Sequence, residues 1–282
     1  MPRPRQPGRH RRPEPVSAPE GAPPLVLAVP GVPSAESRSV ADEVLSIARS
    51  ELPGLDARLA FAEGKDEEFP PLAEVLGRTA GGEGEDGEEN RPPTVVVPLL
   101  AGPDSAHLRV LRQEVLSSGT GAVLTDVLGP HPLLAEAVHV RLSEAGLARA
   151  DRARLFTVAT AADGIVLATA GGEEAVQVAG ITGMLLSARL AVPVLAAAVD
   201  REGAVAATAA KLAEEGSQNL ALAPCLIGPE IPEGLLEAAA EEAGCSAAQP
   251  LGAYPAIGKL VLSRYMTEVG IAPQPSQGTA AR

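Results

Sequence analysis

Short apolar runs bounded by turn residues alternate along the chain with longer stretches whose apolar positions recur at helical spacing. That alternation is the signature of βαβ units around a parallel sheet. In the first half it predicts strands over 25–29, 55–61, 94–98 and 122–127, separated by helices near 34–51, 69–79, 104–118 and 131–145. In the second half strands are predicted over 164–169, 193–199, 219–224 and 246–250, with helices near 173–190, 203–215, 230–244 and 255–268. The two series share order and spacing. The expected fold is therefore α/β, built as two tandem Rossmann-like repeats, each a four-stranded, mostly parallel sheet flanked by helices.

The repeat is visible in the residues. "VLGPHPLLAEAVHVRL" (Val127 to Leu142) matches "PLGAYPAIGKLVLSRY" (Pro250 to Tyr265): a Leu-Gly, a Pro shortly after, then a helix with coincident apolar positions. "VPLLAGP" matches "APCLIGP", pairing Pro98 with Pro224, and "LAVPG" matches "LATAG", pairing Gly31 with Gly171. These anchors divide the chain into an N-terminal domain over 24–150 and a C-terminal domain over 151–270. Residues 1–23 hold five Arg and many Pro without a long apolar run, and read as a disordered basic tail; 271–282 read as a second tail. The segment 81–93, "GGEGEDGEENRPP", has five acidic residues and four Gly and reads as a solvated acidic loop inside the first domain.

Composition narrows the partners. A net charge of -13 and 2% aromatic residues argue against nucleic acid, which is bound through clustered cations and stacking rings. No segment approaches the roughly 20 apolar residues of a membrane span, so a soluble, cytoplasmic protein without a membrane partner is expected. Cys225 and Cys245 are expected to be free thiols. There is no G-x-x-x-x-G-K-[ST], no G-x-G-x-x-G after a strand and no G-x-S-x-G, so no nucleotide cofactor and no serine-hydrolase chemistry is expected.

Four His carry what chemistry is left. His10 falls in the tail, and His139 falls inside a helix, where a partly exposed structural role is expected. His131 sits at the strand-to-helix turn "GPHPLL". His107 follows "VVVPLLAGPDSAH", beyond the carboxyl end of an apolar strand, where open α/β sheets bind ligands. Arg109 and Arg112 are three apart and share a helix face, so they are expected to form a positive patch near His107 suited to carboxylates.

Together "VVVPLLAGPDSAH", "LGPHPLLAEAVHVRL" and "LGAYPAIGKLVLSRY" resemble the sirohydrochlorin chelatase family, the CbiX-type cobalt or iron chelatases of cobalamin and sirohaem synthesis. The resemblance covers about residues 24–270 and implies two chelatase-like domains. It further implies lyase chemistry in which Co²⁺ or Fe²⁺, as substrate, enters a tetrapyrrole without ATP. A non-catalytic tetrapyrrole- or metal-binding protein is the alternative. The family's first strand ends in His-Gly-Ser, where this chain has Pro30-Gly31-Val32. Its second His corresponds to His107, expected as catalytic residue and metal ligand, with His131 as a substitute second ligand. Arg109, Arg112 and Gly31 are then expected to contact the substrate. The acidic residue that follows the family's second His by one turn is replaced by Leu111.

Overall fold

The computed structural model describes residues 17–80, 92–148 and 162–270. In the first half β1 (Leu25–Val29), β2 (Ala57–Phe61), β3 (Val95–Pro98) and β4 (Val123–Leu124) alternate with α1 (Ala35–Glu51), α2 (Leu72–Ala80), α3 (Ser105–Ser117) and α4 (Pro132–Glu144). In the second half β5 (Gly164–Thr169), β6 (Val194–Ala198), β7 (Leu220–Pro224) and β8 (Ser246–Ala247) alternate with α5 (Gly172–Leu190), α6 (Ala204–Glu214), α7 (Leu235–Ala243) and α8 (Pro255–Val269). Each half forms its own four-stranded sheet, in the orders β2-β1-β3-β4 and β6-β5-β7-β8. Every pairing is parallel, as the tandem α/β reading expected. The last strand of each sheet is shorter than expected. After Thr125, whose N–H still donates to Val96 O, the chain leaves the ladder so that Leu128 can reach Leu100 O.

Side chains along the central strands divide between two cores with a period of two. Leu25, Leu27 and Val29 of β1 face one apolar cluster, whereas Val26 and Ala28 face another under α2 and α3. In β5 Ile165 and Leu167 face inward, while Val166 and Ala168 pack beneath α6 and α7. The inward-facing residues of both sheets belong to one cluster, which also takes in buried residues of α1, α4, α5 and α8. The architecture is thus five layers: helices, sheet, a shared layer of four helices, sheet, helices. Burial on both faces explains why the strands read as continuous apolar runs.

The shared layer is built by exchange. Helix α8, last in the chain, packs on α1 and β3 of the first sheet, and α4 packs on α5 and β7 of the second. An arginine near the end of each helix fixes the crossing. Arg141 Nη2 donates to Leu251 O at 2.7 Å, and Arg264 Nη2 donates to Leu128 O at 3.4 Å. These are equivalent positions in the repeat, so one interaction occurs twice about a pseudo-twofold axis. His139 is buried, not partly exposed as expected; Arg189 Nε donates to its Nδ1 at 2.7 Å and links α4 to α5. The division of the chain near residue 150 lies outside the described residues, and the packing units cut across it. Residues 17–23, assigned to the tail from sequence, are engaged: Ala18 N–H donates to Pro53 O, and the buried Tyr265 hydroxyl donates to Pro23 O at 2.7 Å. The remainder of that tail, the acidic segment up to Arg91, His10 and residues 271–282 lie outside the described residues.

The α1–α8 contact depends on the missing side chain of Gly258. A Cβ there would lie 2.5 Å from Ile47 Cγ2 and 3.1 Å from Val44 O. Gly258→Ala is expected to destabilise the protein by about 1–3 kcal/mol in urea unfolding through overpacking. Gly180→Ala, on α5 with open space around it, is the control. It is expected to be neutral or stabilising by up to about 1 kcal/mol.

Candidate functional site

The carboxyl ends of the two sheets meet, and glycines make the meeting possible. Gly31 ends β1 with φ of 75°, a conformation that L side chains rarely adopt. A Cβ there would lie 2.7 Å from Pro229 O in the opposite half and 3.7 Å from His107 Nε2. Its repeat partner Gly171 ends β5 with φ of 109°, and a Cβ there would lie 2.5 Å from Pro103 O. Pro103 and Pro229 are themselves equivalent, so the two contacts are related by the same pseudo-twofold. The turn at Pro30-Gly31 therefore serves as an interlock between halves, and Gly31 borders the His107 ring.

His107 stands in the first turn of α3. Asp104 is the N-cap, its Oδ1 accepting from the N–H groups of Ala106 at 2.9 Å and His107 at 3.0 Å. Its second oxygen, Oδ2, lies 3.0 Å from His107 Nδ1. At that distance the contact between carboxylate and ring is the largest influence on the titration of both groups. Both side chains are largely shielded, at 22% and 11% exposure. His107 holds the Asp104 carboxyl below its ordinary range, against a burial cost that acts the other way. Asp104 in turn raises His107 above 6.5, against desolvation, with Glu230 and Glu63 adding to the same effect.

Glu230 is the residue that sequence reading missed. It occupies the repeat position of Asp104, "CLIGPE" against "LLAGPD", and that alignment was the available signal. It is buried, and its two oxygens accept from Ile227 N–H at 2.6 Å and Gly228 N–H at 2.7 Å. Burial raises its pKa, partly offset by those backbone donors and by His107. Nearby Cys225 is free and buried, and its thiol is pushed up to about 12 by desolvation, with Glu230 contributing. It is therefore inert as a nucleophile.

The other expected site residues are placed as follows. His131 is the N-cap of α4, its Nδ1 accepting from Leu133 N–H at 3.1 Å. Its pKa is lowered by burial and then by Arg264, whereas Asp104, Glu230 and Glu63 act to raise that of His107. Arg109 and Arg112 do not form a patch beside His107. They lie about 200° and 140° around the helix from it and line an outer groove with Gln113, Leu116 and Ser117. The buried Leu111 holds the helix in that orientation by facing the sheet.

Among the described residues no group of three or more His, Cys, Asp or Glu is arranged to hold a metal ion. The residues present thus do not fit a divalent ion held by the protein alone. What they offer is one imidazole, backed on Nδ1 by a carboxylate and turned on Nε2 toward the junction. A cavity of about 450 Å³ lies at the amino ends of the first sheet's strands, lined by Pro19, Pro23, Pro93, Val123 and Glu268, away from this chemistry. No helix among the described residues is long and apolar enough to cross a membrane.

No family model and no curated protein matches the sequence. Solved structures do. The sirohydrochlorin chelatase SirB from Bacillus subtilis subspecies spizizenii, solved in complex with cobalt, aligns with a TM-score of 0.64 at 12% identity, over 88% of this chain and 96% of that one. DR2241 from Deinococcus radiodurans, a multi-domain protein with structural similarity to chelatases and two additional novel domains, aligns with a TM-score of 0.58 at 18% identity. That match covers 86% of this chain and 55% of DR2241. The chain therefore has the tandem α/β fold of the chelatases. At these identities the likeness is one of fold.

Asp104→Asn keeps the cap and removes the charge. The His107 titration midpoint, read by NMR, is expected to fall. Stability should also change its pH dependence. The His107 contribution is full below 6.5 and is lost as pH rises through its elevated folded value. The Asp104 contribution is full above 3.8 and is lost as pH falls through its depressed value. Between these limits the pair stabilises fully, and Asp104→Asn should flatten the loss on either side.

Proposed function

We propose that the protein binds a tetrapyrrole at the strand-end junction and offers His107 Nε2 as the one protein ligand to a cobalt or iron ion at the centre of the macrocycle. The observation that carries this reading is the single imidazole, backed by Asp104 and facing Gly31 where the halves meet. A bare divalent ion needs several protein ligands, and among the described residues no three or more His, Cys, Asp or Glu are grouped to supply them. A metal already seated in a macrocycle would be held chiefly by the ring, and His107 Nε2 would supply the protein's own ligand to it. A carboxylate behind the ligating His orients the ring and raises its basicity, which is the service Asp104 is placed to give. Because the turns at Gly31 and Gly171 abut the opposite half, the macrocycle is received at the mouth of the junction.

A second reading is metal insertion, with Co²⁺ or Fe²⁺ as substrate and His107 taking a pyrrole proton. The fold likeness to a chelatase solved with cobalt favours it. Pro30, at the turn where the resembling family carries its first His, opposes it.

Cobalt-loaded and metal-free sirohydrochlorin and mesoporphyrin separate the two. The cobalt forms are expected to bind with a shifted absorbance band, and His107→Ala is expected to weaken them about 10–100-fold while leaving the metal-free forms unchanged. Their binding should strengthen as pH rises through the His107 value, since only the neutral ring can ligate. His107-dependent acceleration of cobalt uptake by a metal-free tetrapyrrole would establish insertion instead. If no tetrapyrrole binds, the function proposed is wrong.

A further inference from the structure

The two halves repeat one architecture, and its outer edge differs between them. The buried residues of α1, Ser37, Ala41, Val44, Leu45 and Ala48, recur with identical steps in α5 as Ala175, Ala179, Thr182, Gly183 and Leu186. In that register the exposed Glu43, Ser46 and Ser50 of α1 correspond to Ile181, Met184 and Ala188 of α5, which are also exposed, Met184 at 66%. Steps of three and four place the three in one stripe, the period of a helix-pairing seam. The stripe lies about 100–160° around α5 from Gly183, which faces the sheet, on the side away from Arg189, which reaches α4.

Beneath that side runs β6, an edge of its sheet. Pro193 O accepts from Ile165 N–H, and Val199 N–H donates to Thr169 O. The alternate residues Val194, Ala196 and Ala198 therefore turn their backbone groups to the open edge. On the corresponding edge strand, β2, the outward Phe61 N–H donates to Pro70 O, Ala57 O accepts from Arg49, and Arg58 adds a charge. Such devices keep an edge from pairing. The residues of β6, Val194 to Ala198, include neither a charge nor a proline.

We propose that this edge is an interface with a second copy of the chain, independently of what the strand-end junction binds: β6 pairs antiparallel with its own copy about a twofold axis at Ala196, and α5 packs against its own copy. The open backbone groups are self-complementary, since Ala196 faces itself and Val194 faces Ala198, each pair exchanging N–H···O bonds. The helices fit as well. A Cβ on Gly183 would lie 3.4 Å from Val194 Cγ1 and 3.6 Å from Leu167 Cδ2, so α5 runs above the space between β6 and β5. With strands about 4.8 Å apart, α5 lies about 5 Å from that axis and the two copies of α5 about 10 Å apart, a distance at which helices pack. The apolar stripe then faces its own copy. Charge agrees with this direction: Glu173, Glu174, Asp200 and Glu202 gather at one end of the layer, and Arg189 is the one ionisable side chain in 175–199. Antiparallel pairing sets each acidic end against the other copy's Arg189 end, and leaves the two His107 junctions opening at opposite ends.

Sedimentation of the full chain is expected to show a dimer at about 100 μM, and amide exchange at Ala196 and Ala198 is expected to slow as concentration rises. Ile181→Glu combined with Met184→Glu sets like charges face to face and should weaken the dimer at least about a hundredfold. Ala188→Lys, a single change at an exposed position, is expected to weaken it too and serves if circular dichroism shows the double variant unfolded. Ser46→Glu, at the equivalent place on α1, should leave association unchanged. A monomer at that concentration, a dimer that these α5 variants do not weaken, or exchange at Ala196 that does not vary with concentration overturns the inference.

Discussion

Everything at the site depends on the exchange of two helices. Because α8 is packed on the first sheet and α4 on the second, the inner faces of both sheets share one apolar cluster. Neither half can shift without exposing the other's core. The paired bonds from Arg141 and Arg264 to carbonyls of the opposite half set the crossing at two symmetric points. With the sheets held in this way their carboxyl ends are forced together. Only residues without a side chain fit at the closest points, Gly31 against Pro229 and Gly171 against Pro103.

That junction has an electrostatic character set from inside. Buried carboxylates are costly unless their oxygens are satisfied, and here the backbone satisfies them: Asp104 through the start of α3, Glu230 through Ile227 and Gly228. His107 titrates there in a field made by Asp104, Glu230 and Glu63. A chelatase-type fold thereby presents a carboxylate-backed imidazole, and no group of three or more metal-ligating side chains among the described residues.

Much of this was legible in the chain. Continuous apolar runs such as Leu25–Val29 and Gly164–Thr169 could belong only to strands covered on both faces, and their alternation with helical periods specified a parallel α/β repeat. The phrases around Leu128 and Leu251 exposed the duplication, and the place of His107 beyond a strand end singled it out as the candidate. The Asp104–His107 pairing was implicit in a three-residue spacing at a helix start.

What local pattern determined, then, was which segments form strands and helices, because burial on both faces of a sheet and on one face of a helix writes itself into neighbouring residues. Tertiary structure alone decided what meets what. Arg109 and Arg112 were neighbours of His107 in sequence, yet helix geometry turned them outward once Leu111 was buried. Glu230, more than a hundred residues away, reached His107 because exchanged helices bring the two sheets' strand ends together. Contacts between segments distant in the chain depend on how whole layers pack, and no single stretch of residues carries that information.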